Sequence, residues 1–279
     1  MKNLFTLLFI FAATFLVAQE LPQPSPAATV EQTIGLTEFE VVYSRPGAKD
    51  RDVFGNLVPF DALWRTGANK ATAISFNNDI TFGGKQVKAG TYSLFTIPGK
   101  NEWTLILNTE TELWGTGGYK KENDVARVKV ETQKAKDFEE TFTIGFSNID
   151  DESANLYLKW EKTMVAVAIG VKTADAAWAN IEAEIQSLEG SWRVYTRAAD
   201  YAASTGKNLD EAIEWTNKSL EMNESWWTLW VQAKVYAAKG DYAMAQSSLK
   251  KSIDLGNQTE GWGYGDRLNK LMEEYKKKG

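Results

Sequence analysis

The chain has 279 residues, of which 43% are hydrophobic and 24% charged, a composition typical of a globular protein with one large domain or two ordinary ones. Its net charge of −6 and pI near 5.0 argue against nucleic acid as a partner. The absence of cysteine and histidine excludes disulfides, thiolate catalysis, the Ser-His-Asp triad and the usual zinc, copper and haem ligands.

Residues 1–18 have the pattern of a secretory signal peptide. Lys2 provides the positive charge, Leu4 to Val17 form an apolar core, and Ala18–Gln19 suits cleavage. The apolar stretch is shorter than the roughly 20 residues that a membrane-spanning helix needs. We therefore expect an exported protein, periplasmic or secreted, that does not span a membrane after the signal is removed.

Residues 19–30 are rich in proline and small residues, which is the composition of a linker. From residue 31 to residue 171 the hydrophobic pattern has a period of two and is interrupted by glycine turns, such as the Gly83-Gly84 hairpin signal. About nine short strands of this kind predict an all-β, sandwich-like domain. The stretch from Asp50 to Ala68 is long for a hairpin connection and carries few strand signals, so it is a candidate functional loop.

Residues 174–279 have a hydrophobic period of 3.6 and predict helices, so that the whole chain is expected to be an α+β multidomain protein. The segment from Ser191 aligns with the segment from Ser225, and this period resembles tetratricopeptide repeats. Asn257 stands where such repeats usually close with proline, which makes the two repeats degenerate. A leading helix, Ala174–Glu189, and a final helix, Asp266–Lys276, would flank them and complete a groove. The aligned small and apolar positions are Ala199 with Ala233, Gly206 with Gly240, Ala212 with Ala245, and Leu220 with Ile253.

The strand region resembles a bacterial family known as domain of unknown function 2911. The resemblance is carried by QTIGLTEFEVVYSRPGAKDRDVFGNLVPFDALWRTGAN from Gln32, AGTYSLFTIPG from Ala89, Trp103, LWG from Leu113, and the run from Asp124 to Val130. These motifs follow in order over about residues 30–170. Members of the family often carry an export signal and a helical-repeat tail. The resemblance implies the domain and supplies no activity.

The candidate ligand site is WRTGAN, the six residues Trp64 to Asn69, together with Arg45. If Arg45 and Arg65 share one cavity, their planar guanidinium groups would hold a small anionic or glycan ligand while Trp64 stacks on it and Asn69 adds an amide. The alternative is structural, with both arginines bonded to loop carbonyls and the Thr-Gly-Ala-Asn segment serving as a turn. In that alternative the arginines would also pair with Asp50, Asp52 or Asp61.

Other aromatic residues allow the same two interpretations. Tyr92, Trp103 and Trp114 would either line a sugar-binding face or fill the core. Trp114 is the strongest ligand candidate of the three, because Gly115, Gly117 and Gly118 predict an exposed loop around it. In the helical half, Trp226 and Trp230 share a face while Trp227 points elsewhere. These three tryptophans either pack between helices or form a groove for a protein or peptide partner.

Carboxylates recur along the strand half, and a glycosidase needs two of them facing each other in a cleft. The recurring groups are Glu110-Thr111-Glu112, Glu139-Glu140 and Asp150-Asp151-Glu152. We predict no catalytic residue, metal site or cofactor from this pattern, which is also typical of a solvated acidic surface. The leading hypothesis is a non-catalytic binding or scaffolding protein of the bacterial envelope, and the alternative is a carboxylate-based hydrolase acting on carbohydrate or peptidoglycan.

Overall fold

The computed structural model describes residues 22–187 and 191–279, and the predicted signal peptide lies outside them. The chain divides into two compact units between Thr173 and Ala174. Strands form the first unit and helices the second, which confirms the predicted α+β class with a helical C-terminal region. Within the described residues, every helix is too short or too polar to cross a membrane.

The described part of the first unit contains ten strands in two antiparallel sheets. The strands are β1 Ala27–Ile34, β2 Thr37–Ser44, β3 Thr72–Phe76, β4 Ile80–Phe82, β5 Lys85–Val87, β6 Gly90–Ile97, β7 Glu102–Asn108, β8 Asp124–Glu131, β9 Gln133–Ser147 and β10 Ser153–Val171. Six of them form a sheet in the order β1-β2-β3-β6-β7-β8. The other four form a sheet in the order β5-β4-β10-β9.

The two sheets pack face to face around one hydrophobic core. Along β2, Phe39, Val41 and Tyr43 are buried while the residues between them face solvent, because successive side chains of a strand point to opposite faces. Tyr43 reaches the second sheet, where its ring lies 5.9 Å from that of Phe142 and its hydroxyl accepts a hydrogen bond of 3.1 Å from the Ile144 amide. The strand unit is therefore a β-sandwich.

Two strand boundaries differ from the sequence prediction. β1 begins at Ala27, inside the predicted 19–30 linker, because it pairs with β2 along its whole length, starting with Ala27 opposite Ser44. The end of the domain, where short strands were predicted, is instead one strand of 19 residues, β10. Glu161 has a left-handed φ of 51° at this point and the register with β9 shifts around it, so a bulge bends the strand without ending it.

The long connection between β2 and β3 folds into the core. Val53, Val58 and Trp64 of this loop belong to the main hydrophobic cluster of the sandwich. Gly47 bridges to Thr141 of β9, and Trp64 bridges to Thr96 of β6. The stretch that the sequence predicts to be a candidate functional loop is thus anchored to both sheets.

The second unit is described as six helices. They are α1 Thr173–Ser187, α2 Trp192–Thr205, α3 Leu209–Met222, α4 Trp226–Ala238, α5 Tyr242–Gly256 and α6 Gly265–Lys276. The last residues of the predicted leading helix, 188–189, lie outside the described residues. The final helix begins one residue before its predicted start at Asp266.

The pairs α2–α3 and α4–α5 make equivalent contacts about one repeat apart. The Ser219 hydroxyl donates a hydrogen bond of 2.9 Å to the Trp192 carbonyl, and the Ser252 hydroxyl donates one of 2.7 Å to the Trp226 carbonyl. The aligned alanines lie where helices approach one another, since all of them are fully buried. These residues are Ala199, Ala212, Ala233 and Ala245.

Tyr119 holds the loop between β7 and β8 against the outer side of the six-stranded sheet. Its hydroxyl donates to the Asp124 carboxylate at 2.7 Å and accepts from the Arg127 guanidinium at 2.8 Å. Its ring packs edge-on against Phe95 at 5.3 Å. Burial and the neighbouring Asp124 carboxylate raise the pKa of Tyr119 to about 12, from an ordinary value of about 10.

The raised pKa of Tyr119 makes stability depend on alkaline pH. Because the folded pKa exceeds the unfolded one, the contribution of Tyr119 to stability is fully present below pH about 10 and is lost as the pH rises through about 12. In an ultraviolet titration of the folded protein, we expect the wild type to show a phenolate step near pH 12 that is missing in Tyr119→Phe. Loss of a step near pH 10 instead would contradict this assignment.

Candidate functional site

The backbone of WRTGAN is strained and is held by its neighbours. Thr66 and Asn69 have left-handed φ values of 58° and 59°, and Gly67 has a φ of 151°. A left-handed φ is uncommon outside glycine and is an outlier for a β-branched residue such as threonine. Thr72 of β3 donates a hydrogen bond to the Thr66 carbonyl, and the Thr66 hydroxyl donates to that of Thr96 in β6 at 3.1 Å. Two strands therefore impose the conformation of this turn.

Trp64 lies in the core and is only 8% exposed. Its ring stacks on that of Trp160 at 6.0 Å, and the Phe142 ring meets it at a steep angle 5.0 Å away. Its indole N–H donates to the Gly67 carbonyl at 3.0 Å. The ring is almost wholly covered by protein, and its contacts support a packing role, while a small part of it lines the cavity described next.

Arg65 lines a cavity of about 240 Å³ beside the WRTGAN turn. Its Nε is buried without a hydrogen-bond partner, and no ion pair engages its guanidinium within the described residues. Buried N–H groups of this kind are nearly always satisfied in proteins. The cavity is lined by Ser25, Pro46, Arg51, Leu57, Val58, Trp64, Arg65, Gly67, Ala68 and Trp160.

Arg45 does not join Arg65 in this cavity. Its Nε donates to the Phe142 carbonyl at 3.0 Å and its Nη2 donates to the Thr143 hydroxyl at 2.6 Å, so the side chain is directed at β9. Arg45 thus has the structural role that was the alternative to ligand binding. Its partners are atoms of β9 and not the aspartates predicted to pair with it. The second arginine of the cavity is Arg51.

Asn69 and Trp114 lie outside the cavity as well. The Asn69 amide donates to the Ser44 hydroxyl at 3.2 Å and so ties the turn to the end of β2. Trp114 is 76% exposed on the loop after β7, beside Lys70. Tyr92 and Trp103, by contrast, are buried in the sandwich core. Of the residues that the sequence grouped into one ligand site, Trp64 and Arg65 therefore line the cavity, and Arg45, Asn69 and Trp114 do not.

Several of the recurring carboxylates have local structural partners. Glu112 pairs with Lys70 at 2.8 Å and Glu139 pairs with Lys159 at 3.2 Å. Asp150 accepts hydrogen bonds from two backbone amides and one hydroxyl in the turn before β10, and these bonds lower its pKa below the ordinary value. A general acid needs the opposite shift.

The helical unit carries an aromatic depression of about 400 Å³, which we define by Trp192, Arg193, Ser225, Trp226, Trp227, Trp230 and Tyr264. The Trp226 and Trp230 rings are nearly parallel at 6.4 Å, and Tyr264 lies 5.0 Å from Trp226. Trp227 lines the same depression, although helical spacing places it on another face. It does so because it meets Trp192 of α2 at 6.0 Å across the adjoining helix starts.

Sequence reasoning missed Arg51 in the strand unit and Trp192 and Tyr264 in the helical unit. A signal for Arg51 was present, because Arg51 and Arg65 are the only cations between residues 50 and 68. Trp192 was detectable from the repeat, since it aligns with Trp226 at the start of the next repeat. Tyr264 had no such signal, because it precedes α6 and reaches the depression only through the packing of that helix.

The comparisons with known proteins give one match. The family described as protein of unknown function (DUF2911) matches residues 25–169, which covers the sandwich and its cavity. No curated protein and no solved structure matches the chain. The matched region is more than half of the chain, and we conclude that the protein belongs to the DUF2911 family of proteins of unknown function.

Proposed function

We propose that this is an exported protein of the bacterial envelope that binds a protein or peptide partner through its helical unit, without catalysing a reaction. Export is supported by the charged and apolar pattern of residues 1–18. A tetratricopeptide-like array is supported by the repeat offset and by the equivalent contacts of Ser219 and Ser252. Arrays of this kind commonly present extended binding surfaces.

The aromatic depression is the single observation that carries the proposal. Four tryptophans and one tyrosine line one surface, and Tyr264 remains 41% exposed there. Tryptophan, tyrosine and arginine are the residue types that dominate binding energy in protein interfaces. Arg193 is the only charged residue among the described ones that line the depression, so the best partner presents apolar or aromatic side chains with an acidic group beside them.

A neighbouring depression extends the surface from Trp230. It is lined by Lys234, Arg267 and Lys270 together with two carboxylates, Asp266 and Glu274. The charged groups of Lys234 and Arg267 lie 4.9 and 5.0 Å from the Trp230 ring. This mixed rim around an aromatic centre is the usual anatomy of a protein interface.

The proposal predicts that one aromatic substitution abolishes most partner binding. A photo-crosslinking residue at Arg193 of the full chain should capture a discrete partner from envelope extract, and Trp226→Ala should weaken its binding by roughly thirtyfold. Trp114→Ala, which removes an exposed tryptophan from the other unit, should leave capture unchanged.

Two outcomes would contradict this function. The first is that a crosslinker at Lys85, an exposed residue of the strand unit, captures the same proteins as efficiently as the crosslinker at Arg193. The second is equal capture by the wild type and by Trp226→Ala, provided that circular dichroism shows the helices of the variant to be intact.

A further inference from the structure

The cavity of the strand unit has the charge of an anion site. Two guanidinium groups, those of Arg51 and Arg65, belong to its lining, and among residues 22–187 and 191–279 no aspartate or glutamate lines it. Within the described residues, no ion pair neutralises either arginine. Uncompensated positive charge in a small, partly enclosed cavity favours a negatively charged occupant.

Arg65 is the group that most needs a partner. Its Nε is fully buried and makes no hydrogen bond, although Arg65 sits beside the strained Thr66 and Gly67, whose backbone is imposed by β3 and β6. The backbone beside Arg65 is thus fixed by the two strands, while the Nε–H of Arg65 has no acceptor within the described residues. An oxyanion would supply the missing acceptor.

Arg51 is already oriented by the loop. Its Nε donates to the Ala48 carbonyl at 2.9 Å and its Nη2 donates to the Gly47 carbonyl at 2.7 Å. No contact within the described residues engages its Nη1, which leaves that donor for a ligand. Fixing the side chain beforehand lowers the entropy cost of binding.

The walls of the cavity determine which anion fits. Leu57, which is 41% exposed, contributes apolar surface to the cavity, and the small accessible parts of Val58 and Trp160 complete an apolar lining that an inorganic oxyanion would not use. The volume of about 240 Å³ lies below the roughly 300–1,000 Å³ of sites for drug-sized ligands. Such a cavity has room for a ligand whose apolar part is a single ring or a short branched chain.

We propose that this cavity is a binding site for a small organic carboxylate, with Arg65 and Arg51 holding the carboxylate group and the apolar lining, chiefly the exposed Leu57, meeting its apolar body. The site is independent of the aromatic depression of the helical unit. It also differs from the site predicted from the sequence, because Arg45 and Asn69 are occupied elsewhere.

Calorimetric titration of the full chain with sodium benzoate tests the site. We expect saturable binding that weakens at least about tenfold in Arg65→Gln and several-fold in Arg51→Gln. Arg45→Gln is the matched control, since it also removes one positive charge from the unit but lies outside the cavity, and it should retain the wild-type affinity within about twofold. Benzyl alcohol, which lacks the charge, should bind much more weakly than benzoate.

Several results would overturn the proposal. Inorganic phosphate binding as tightly as benzoate and competing with it would mean that the apolar wall is not used. Equal affinities of the wild type and both arginine variants would show that the arginines do not bind the ligand. If Arg65→Gln fails to fold, Arg51→Gln still tests the site, because Arg51 is exposed and its substitution should not disturb folding. Failure of both benzoate and isobutyrate to bind below about 10 mM would exclude the carboxylate class.

Discussion

Replacing Trp64 with alanine is expected to lower the free energy of unfolding of the strand unit by about 3–5 kcal/mol. The indole is 8% exposed, stacks on Trp160 and donates a hydrogen bond to the Gly67 carbonyl. The substitution therefore opens a large cavity and leaves that carbonyl without its donor. The Trp103 and Phe142 rings, which meet the same indole, lose contacts as well. Urea denaturation of the full chain, followed by tryptophan fluorescence, measures the loss.

Trp114→Ala is the matched control for this prediction. It removes the same side chain from a position that is 76% exposed, so the free energy of unfolding should change by no more than about 0.5 kcal/mol. Equal losses in the two variants would show that Trp64 is not a core residue. A Trp64→Ala protein of wild-type stability that binds ligand weakly would restore the stacking role that the sequence suggested.

Gly83→Ala is expected to destabilise the strand unit by about 2–5 kcal/mol. Gly83 and Gly84 form the two-residue turn between β4 and β5, and both have positive φ values, 53° and 79°. The added methyl group at Gly83 would lie 2.3 Å from Val128 Cγ1, on β8 of the facing sheet. The substitution therefore combines backbone strain with a clash between the sheets.

Gly84→Ala separates these two contributions. The same methyl group at Gly84 meets no atom within 4 Å, so only the backbone strain of about 1–2 kcal/mol remains. The difference between the two variants in urea denaturation measures the contact with Val128. If Gly84→Ala is as harmful as Gly83→Ala, strain alone sets the stability of the turn and the hairpin does not pack tightly on β8.

Periodicity identified the elements because it reflects local chain geometry. The alternation of Phe39, Val41 and Tyr43 predicted a strand with one buried face, and β2 has that face. The repeat offset predicted matched helices, and the aligned alanines are buried at equivalent positions. Pairing was not predictable in the same way. β3 pairs with β6 and β4 pairs with β10, and contacts between distant strands leave no periodic signal in either segment.

In the ligand site, too, the sequence predicted the residue types, and the fold decided which side chains lie together. The sequence placed Arg45 with Arg65 in one predicted site, and Pro46 restricts the backbone directly after Arg45. In the folded chain Arg45 meets the Phe142 carbonyl of β9, and Arg51 takes its place at the cavity. The path of the loop after Arg45 is set by the burial of Val53 and Val58, which is a property of the completed core.

The sequence by itself determined the kinds of elements, their order and the chemistry available, because local periodicity and the absence of cysteine and histidine do not depend on folding. It also indicated WRTGAN as the candidate ligand site of the strand half. Only the tertiary structure decided the role of each residue there. Trp64 packs in the core, Thr66 and Gly67 form the turn, and Arg65 lines the cavity with a buried Nε that has no hydrogen-bond partner. The reason is that side-chain direction in a loop depends on contacts with distant strands, here β3, β6 and β9, which adjacent residues do not encode.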